Sequence, residues 1–449
     1  MRRGLSLLVL TVLVVSTARA DDWPQWLGPK RDGVWRETGV IDKIPEGGLK
    51  AKWRTPIGAG YAGPAVANGK VYVTDRILDA GADNPKSAFA RDLVKGTERV
   101  LCLDEATGKI LWKHEYKSNY QISYAAGPRC TPVVSDGKLW TVGAMGDLYC
   151  LDANTGKEIW SKNFIKDFGA KVPVWGFSGH PLLDGNKLIV LAGGDNALVV
   201  ALDKDTGKEI WKALNAKEPG YSPPMIYTLD GKRQLLIWHP EAAAGLDPET
   251  GKTLWTYDWE VGAALTAPTP RVVGDKVLLV SFYNGSTMLE VKGDTAKELW
   301  KSKWHKGKKD GERPEKSDNL HSIMPTPIWK DGQIYGVCSY GELRGLDPAT
   351  GQRVWESLKL TGSTKSGADR WNNAFIVEHA DRYFFFTEKG DLVIGKLSPT
   401  GYEEIGRANI LKPDNKMAGR LVVWSHPAFA NKSIYARNDS EIICVPLAK

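Results

Sequence analysis

Leu103-Asp104-Glu105-Ala106-Thr107-Gly108-Lys109-Ile110-Leu111-Trp112 decides the fold, because the chain repeats it. Copies run from Leu151 to Trp160, Leu202 to Trp211, Leu246 to Trp255 and Leu346 to Trp355, and degraded copies close on Trp300 and Ile405. The closing positions stand 44 to 55 residues apart. Self-similarity at such a period marks an array whose units bury their apolar faces against each other. The amphipathic helical pairs of a helical repeat are missing, so the period suits a propeller blade of four strands.

Each unit carries two reversals. In the repeat itself, Asp can bond turn amides and Gly supplies the positive φ of a tight hairpin. Upstream stand Asn68-Gly69, Asp136-Gly137, Asp184-Gly185, Asp230-Gly231 and Asp331-Gly332, flanked by β-branched and aromatic residues. Two hairpins make a four-stranded meander. Its innermost strand is expected at 62–67, 130–135, 179–183, 222–227, 266–272, 325–329, 372–377 and 425–430, which gives eight blades. The last unit has only three strands, and Leu49 to Arg54, with Trp53 in the expected slot, is read as the fourth. The fold class is therefore all-β, an eight-bladed propeller of four-stranded antiparallel blades closed by an N-terminal strand, a closure that removes exposed edges.

Residues 49–449 read as that one domain and 21–48 as an N-terminal extension. Residues 1–20 read as a signal peptide: Arg2 and Arg3, an apolar run from Leu5 to Val15, and Ala18-Arg19-Ala20. Export to the periplasm or beyond is expected, with no transmembrane segment. The net charge of +7 falls to +4 without Arg2, Arg3 and Arg19, too weak to imply nucleic acid. The basic run Lys301 to Lys316 holds Asp310, Glu312 and Glu315 and reads as a solvated loop. Cys102, Cys150 and Cys444 fall at one position of three different blades, too far apart for disulfides, and Cys130 and Cys338 also read as buried thiols.

The repeat Asp-x-x-Thr-Gly-Lys-x-x-Trp resembles the tryptophan-docking motif of the pyrroloquinoline-quinone-like eight-bladed propellers, over roughly residues 49–449. That superfamily holds quinoprotein alcohol dehydrogenases and the outer-membrane assembly propeller subunit. Asp22-Trp23-Pro24-Gln25-Trp26-Leu27-Gly28-Pro29 with Arg31-Asp32-Gly33 resembles the opening of a group of exported bacterial propellers. The dehydrogenase resemblance implies a vicinal cysteine disulfide, calcium held by Glu and Asn or Asp, a catalytic Asp and sometimes a c-type haem. Here no cysteines are adjacent and no Cys-x-x-Cys-His occurs. Asp369 and Glu241 read as solvated acids. No His-Glu-x-x-His spacing is present, and His114, His239, His305 and His379 fall on unrelated elements, so no metal site is expected.

In such blades the connections between the second and third strands, and between blades, share one face. All the long segments lie there: 76–99, 113–126, 161–175, 301–323, 356–370 and 406–421. Binding functions sit on loops held by a rigid scaffold. At the inner strands, Tyr61, Arg129, Tyr221, Trp371 and Trp424 fall in one aligned column, and His180, Asn373 and His426 in the next. These eight are the candidate residues of a funnel for an anionic or sugar-like ligand. The expected function is a monomeric, non-catalytic binding or scaffolding module in the cell envelope, with an envelope protein or small polar ligand as partner and no cofactor. The alternative is an oxidoreductase dependent on pyrroloquinoline quinone (PQQ).

Overall fold

Proline fixes where seven of the eight blades begin. Pro64, Pro132, Pro181, Pro224, Pro327 and Pro427 stand immediately before the inner strands Ala65–Ala67, Val133–Ser135, Leu182–Asp184, Met225–Leu229, Ile328–Lys330 and Ala428–Ala430, and Pro270 precedes Arg271–Val273. Proline has no N–H to give to a ladder, so pairing starts one residue later. For this reason the inner strands of those seven blades begin three to five residues later than the sequence suggests, while the strand Ala374–His379, which follows Asn373, begins two later. The extra residues run beside the central axis without ladder bonds.

A computed structural model describes residues 21–303, 317–417 and 419–449. The proposed signal peptide and most of the basic run lie outside them. Among the described residues, eight four-stranded antiparallel sheets follow each other around the ring, each in the order inner to outer. The eighth is closed as expected: Trp53–Pro56 pairs with Glu441–Pro446, Trp53 opposite Cys444 and Pro56 opposite Glu441. Cys102, Cys130, Cys150, Cys338 and Cys444 are all buried and unbonded.

The repeat is the device that locks neighbouring blades. Asp104 Oδ1 accepts from the Thr107 amide at 2.8 Å and its hydroxyl at 2.6 Å, and Asp152, Asp203 and Asp247 hold Thr155, Thr206 and Thr250 likewise. The turn presents a glycine with positive φ beneath the tryptophan of the preceding blade: Gly108 under Trp53, Gly207 under Trp160, Gly251 under Trp211. A methyl group at Gly207 would stand 2.7 Å from the Trp160 ring. The indoles then donate to backbone carbonyls of the next blade, Trp53 to Glu105, Trp160 to Lys204 and Trp211 to Pro248. Trp255 and Trp355, whose next blades carry degraded copies, lie over Gly245 and Gly345 of their own sheets; Trp355 still donates to Ser398 O of the next blade at 3.1 Å, whereas Trp255 donates to Gln234 Oε1 of its own sheet at 2.7 Å.

The N-terminal extension is part of the ring. Asp22 accepts from the Asn68 amide, Trp23 pairs with Val66, Val34 bridges Glu378, and Val40 bridges Ala448. These partners lie at the tight turns, so the segment straps the face opposite the long loops. Trp23, Trp35, Val40 and Ile41 are buried in the same core cluster as Phe384, Phe429 and Ile443, spanning the closure.

Candidate functional site

The long-loop face opens into a funnel on the axis, and aromatic rings build its wall. On one side Tyr61, Phe89, Tyr124, Trp371 and Trp424 line it; Trp175 and Tyr221 stand elsewhere on the wall, in T-shaped contact with ring centroids 5.7 Å apart. Tyr124 stacks towards Trp424 at 6.0 Å, and Phe89 reaches Tyr124 at 5.2 Å and Trp371 at 5.8 Å. Leu265, Ile323 and Met324 complete the lining with aliphatic surface.

Two wall residues are held against their backbone preference. Tyr124 has φ 58° and Trp371 φ 65°, the left-handed region that a side chain disfavours. The surrounding structure imposes it: the Tyr124 amide donates to Ala88 O at 2.6 Å and the Trp371 amide to Ser339 O at 2.7 Å. Such strain gathers where a side chain must be aimed. Trp424 is aimed by Glu388, a buried carboxylate that accepts from its indole at 2.9 Å and from Arg420 at 2.7 Å.

The floor is neutral. Trp26, carried in by the strap, stacks on His180 and meets His426 edge-on at 4.3 Å, while its indole donates to Thr269 at 2.9 Å. His180 Nδ1 accepts from the Thr131 amide at 2.9 Å, and His426 Nε2 lies 2.6 Å from the Thr131 hydroxyl. Burial drives both imidazoles towards the uncharged form, His180 well below the usual histidine range and His426 down to about 3.

Of the eight residues singled out in the sequence, Tyr61, Arg129, His180, Tyr221, Trp371, Trp424 and His426 line this funnel. Asn373 does not. Its amide group is fully buried, donating to Trp371 O at 2.8 Å, beneath the wall it was expected to share. Arg129 lines the funnel with its charge committed elsewhere, since Nη1 donates to Gly127 O and Nη2 to Ser123 O and Tyr124 O. Sequence alignment of the blades missed Phe89, Tyr124, Trp175 and Tyr283, which sit on loops outside the repeat. Trp26 carried a signal, its place in the Trp-Pro-Gln-Trp opening, but no periodicity pointed it at the axis.

A flat tricarboxylate such as PQQ needs facing cations or amide donors, and its calcium needs carboxylates. Among the described residues, no Asp or Glu lines the funnel and no group of three His, Cys, Asp or Glu side chains is placed to hold a metal. The residues present do not fit that cofactor.

Comparison with known proteins follows the architecture. The family model described as outer membrane protein assembly factor BamB matches residues 96–357 and 195–445. Polyvinylalcohol dehydrogenase of Sphingopyxis sp. is 23% identical over 397 residues, 79% of this chain and 53% of that protein. The outer membrane protein assembly factor BamB of Burkholderia pseudomallei is 24% identical over 242 residues, covering 50% of this chain and 54% of its own. The chain thus spans about half the length of these curated relatives. Among solved structures, BamB from Moraxella catarrhalis superposes with a TM-score of 0.56 at 15% identity, over 89% of this chain and 99% of that one, a likeness of fold.

Proposed function

We propose that this chain, which belongs to the propeller family described as outer membrane protein assembly factor BamB, works as a binding or scaffolding module of the cell envelope that receives an apolar segment of a partner protein in its aromatic funnel. The observation that carries this reading is the composition of the wall. Among the described residues aromatic and aliphatic side chains form most of it, its one arginine, Arg129, is tied to backbone carbonyls, and the floor histidines are held neutral. Such a surface recognises by burial and ring contact. Phe89, at the funnel wall, is 55% exposed, and Leu93 on the same loop 61%. Exposed apolar residues around a concave site favour a protein partner over the small polar ligand. Among the described residues no helix is long and apolar enough to cross a membrane.

A second reading is a quinone-dependent oxidoreductase, favoured by the similarity to quinohemoprotein alcohol dehydrogenase ADH-IIG of Pseudomonas putida, 24% identical over 87% of this chain and 56% of that protein. One set of variants separates the two. Phe89→Ala, Trp371→Ala and Trp424→Ala are expected to lose retention of envelope proteins crosslinked from extracts while the ring stays folded. Dye reduction that requires added PQQ and calcium, and is lost in the same variants, would replace the binding reading with the enzymatic one.

A further inference from the structure

On the opposite face, beneath the strap, a second cleft of about 520 Å³ lies between Gln25–Val34 and the inner strands of five blades. Two arginines reach it from distant parts of the chain. Arg31 is 5% exposed and Arg271 is 9% exposed, and among the described residues neither has a carboxylate partner. Arg31 donates to Pro181 O at 2.8 Å, Pro224 O at 3.3 Å and Gln25 Oε1 at 3.3 Å, and its buried Nε has no hydrogen-bond partner. Arg271 Nε donates to Pro327 O at 2.7 Å, and its Nη2 lies against Gly33 of the strap.

Buried cations without counter-ions are costly, and native proteins normally pair them. The acids bordering this cleft are ion-paired to other cations, and only Asp32 and Glu378 lie near enough to Arg271 to favour its charge. Asp32 holds Arg36 at 2.5 Å, Glu378 holds Lys330 at 2.5 Å, and Asp184 holds Arg233. Burial pushes the Arg31 guanidinium down to about 10 and lowers that of Arg271, where Tyr227, Asp32 and Glu378 offset part of the cost; both charges remain at neutral pH, and no carboxylate offsets that of Arg31. Arg31 is also fixed at φ 54°, a strained conformation for a side chain of its size. Beside this charged lining, Leu182, Met225, Val272, Ile328 and Trp329 give the cleft an apolar part.

We infer that the cleft is a binding site for a small organic acid, its carboxylate held between Arg31 and Arg271 and its apolar body against Met225, Ile328 and Trp329. A guanidinium presents parallel donors that match a carboxylate, and an aromatic or branched body suits the walls better than water does. The site lies at the other end of the ring from the funnel and stands whether or not the funnel reading does.

Calorimetric titration of the full chain with phenylacetate, and separately with inorganic phosphate, tests this. Saturable phenylacetate binding is expected, weakened at least about tenfold by Arg271→Gln, less by Arg271→Lys, and unchanged by Trp424→Ala in the funnel. Binding indifferent to Arg271→Gln, or lost with Trp424→Ala, overturns the site. Phosphate bound as tightly as phenylacetate overturns the organic-acid assignment. Because Arg271→Gln could fail to fold, crystals of the unaltered chain soaked in 4-bromobenzoate give an independent reading: a bromine anomalous peak under the strap supports the site, and none there refutes it.

Discussion

The indole of Trp26 stacks on the imidazole of His180 with ring centroids 4.2 Å apart and planes 13° from parallel, although 154 positions separate them in the chain. That contact closes the axis from the strap side and gives the funnel its floor. Replacing Trp26 by Ala removes the stack, the edge contact with His426 and the bond to Thr269. A loss of about 3–5 kcal/mol is expected in denaturant unfolding, as for other buried tryptophans. Trp26→Phe keeps a ring and loses the hydrogen bond, so about 1 kcal/mol is expected there. Equal losses would show that the indole N–H, and not the stacking, holds the strap.

Glycine in the repeat is required twice over, by its φ and by the ring above it. Gly207 has φ 70° and sits under Trp160, whereas Gly137 has φ 74° in open space. Gly137→Ala should therefore cost about 1 kcal/mol, the conformational penalty alone. Gly207→Ala should cost that plus about 1–3 kcal/mol for displacing the indole. Chemical denaturation of the two variants side by side measures the difference, and equal costs would remove the docking argument.

Ring closure depends on a segment remote from the strand it completes. Deleting residues 53–56 leaves the ladder of Glu441–Pro446 unpaired and uncovers Cys444 and Ile442. A large drop in melting temperature and aggregation through the bare edge are expected. Light scattering and calorimetry read both, and an unchanged melting point would mean that the blade is complete without this strand.

The floor histidines predict an acid sensitivity with a definite sign. In the unfolded chain each titrates near 6.5, while folding lowers His180 well below that value and His426 to about 3. Between those values the unfolded state binds more protons, so stability falls as pH drops below about 6.5, by roughly 1 kcal/mol per histidine at pH 5.5. Buried Glu98, raised by desolvation, acts in the opposite sense as pH falls towards 4.5. NMR of the imidazole carbons should show no titration of His180 or His426 between pH 7.5 and 5.5. A midpoint near 6.5 for either would mean that it is solvated.

Much of this molecule was legible in one dimension because its architecture is local and periodic. The Thr-Gly-Lys-x-x-Trp repeat encodes a turn and a contact with the next blade, so counting copies counts blades, and the Trp at position 53 located the missing strand. Inner prolines were equally visible, and only their effect on the ladder went unread. The site was legible in part: aligned inner-strand positions placed seven of eight candidates in the funnel, since equivalent residues of a ring converge on its axis. What those residues do there was decided in three dimensions. Arg129 spends its donors on the carbonyls of its own loop, Asn373 turns beneath the wall, and Trp26 enters the axis from outside the repeat. The meeting of Arg31 with Arg271 belongs to the same class. A repeat specifies contacts between neighbours along the chain, whereas the axis brings together segments hundreds of residues apart, and no periodic signal records which of them meet.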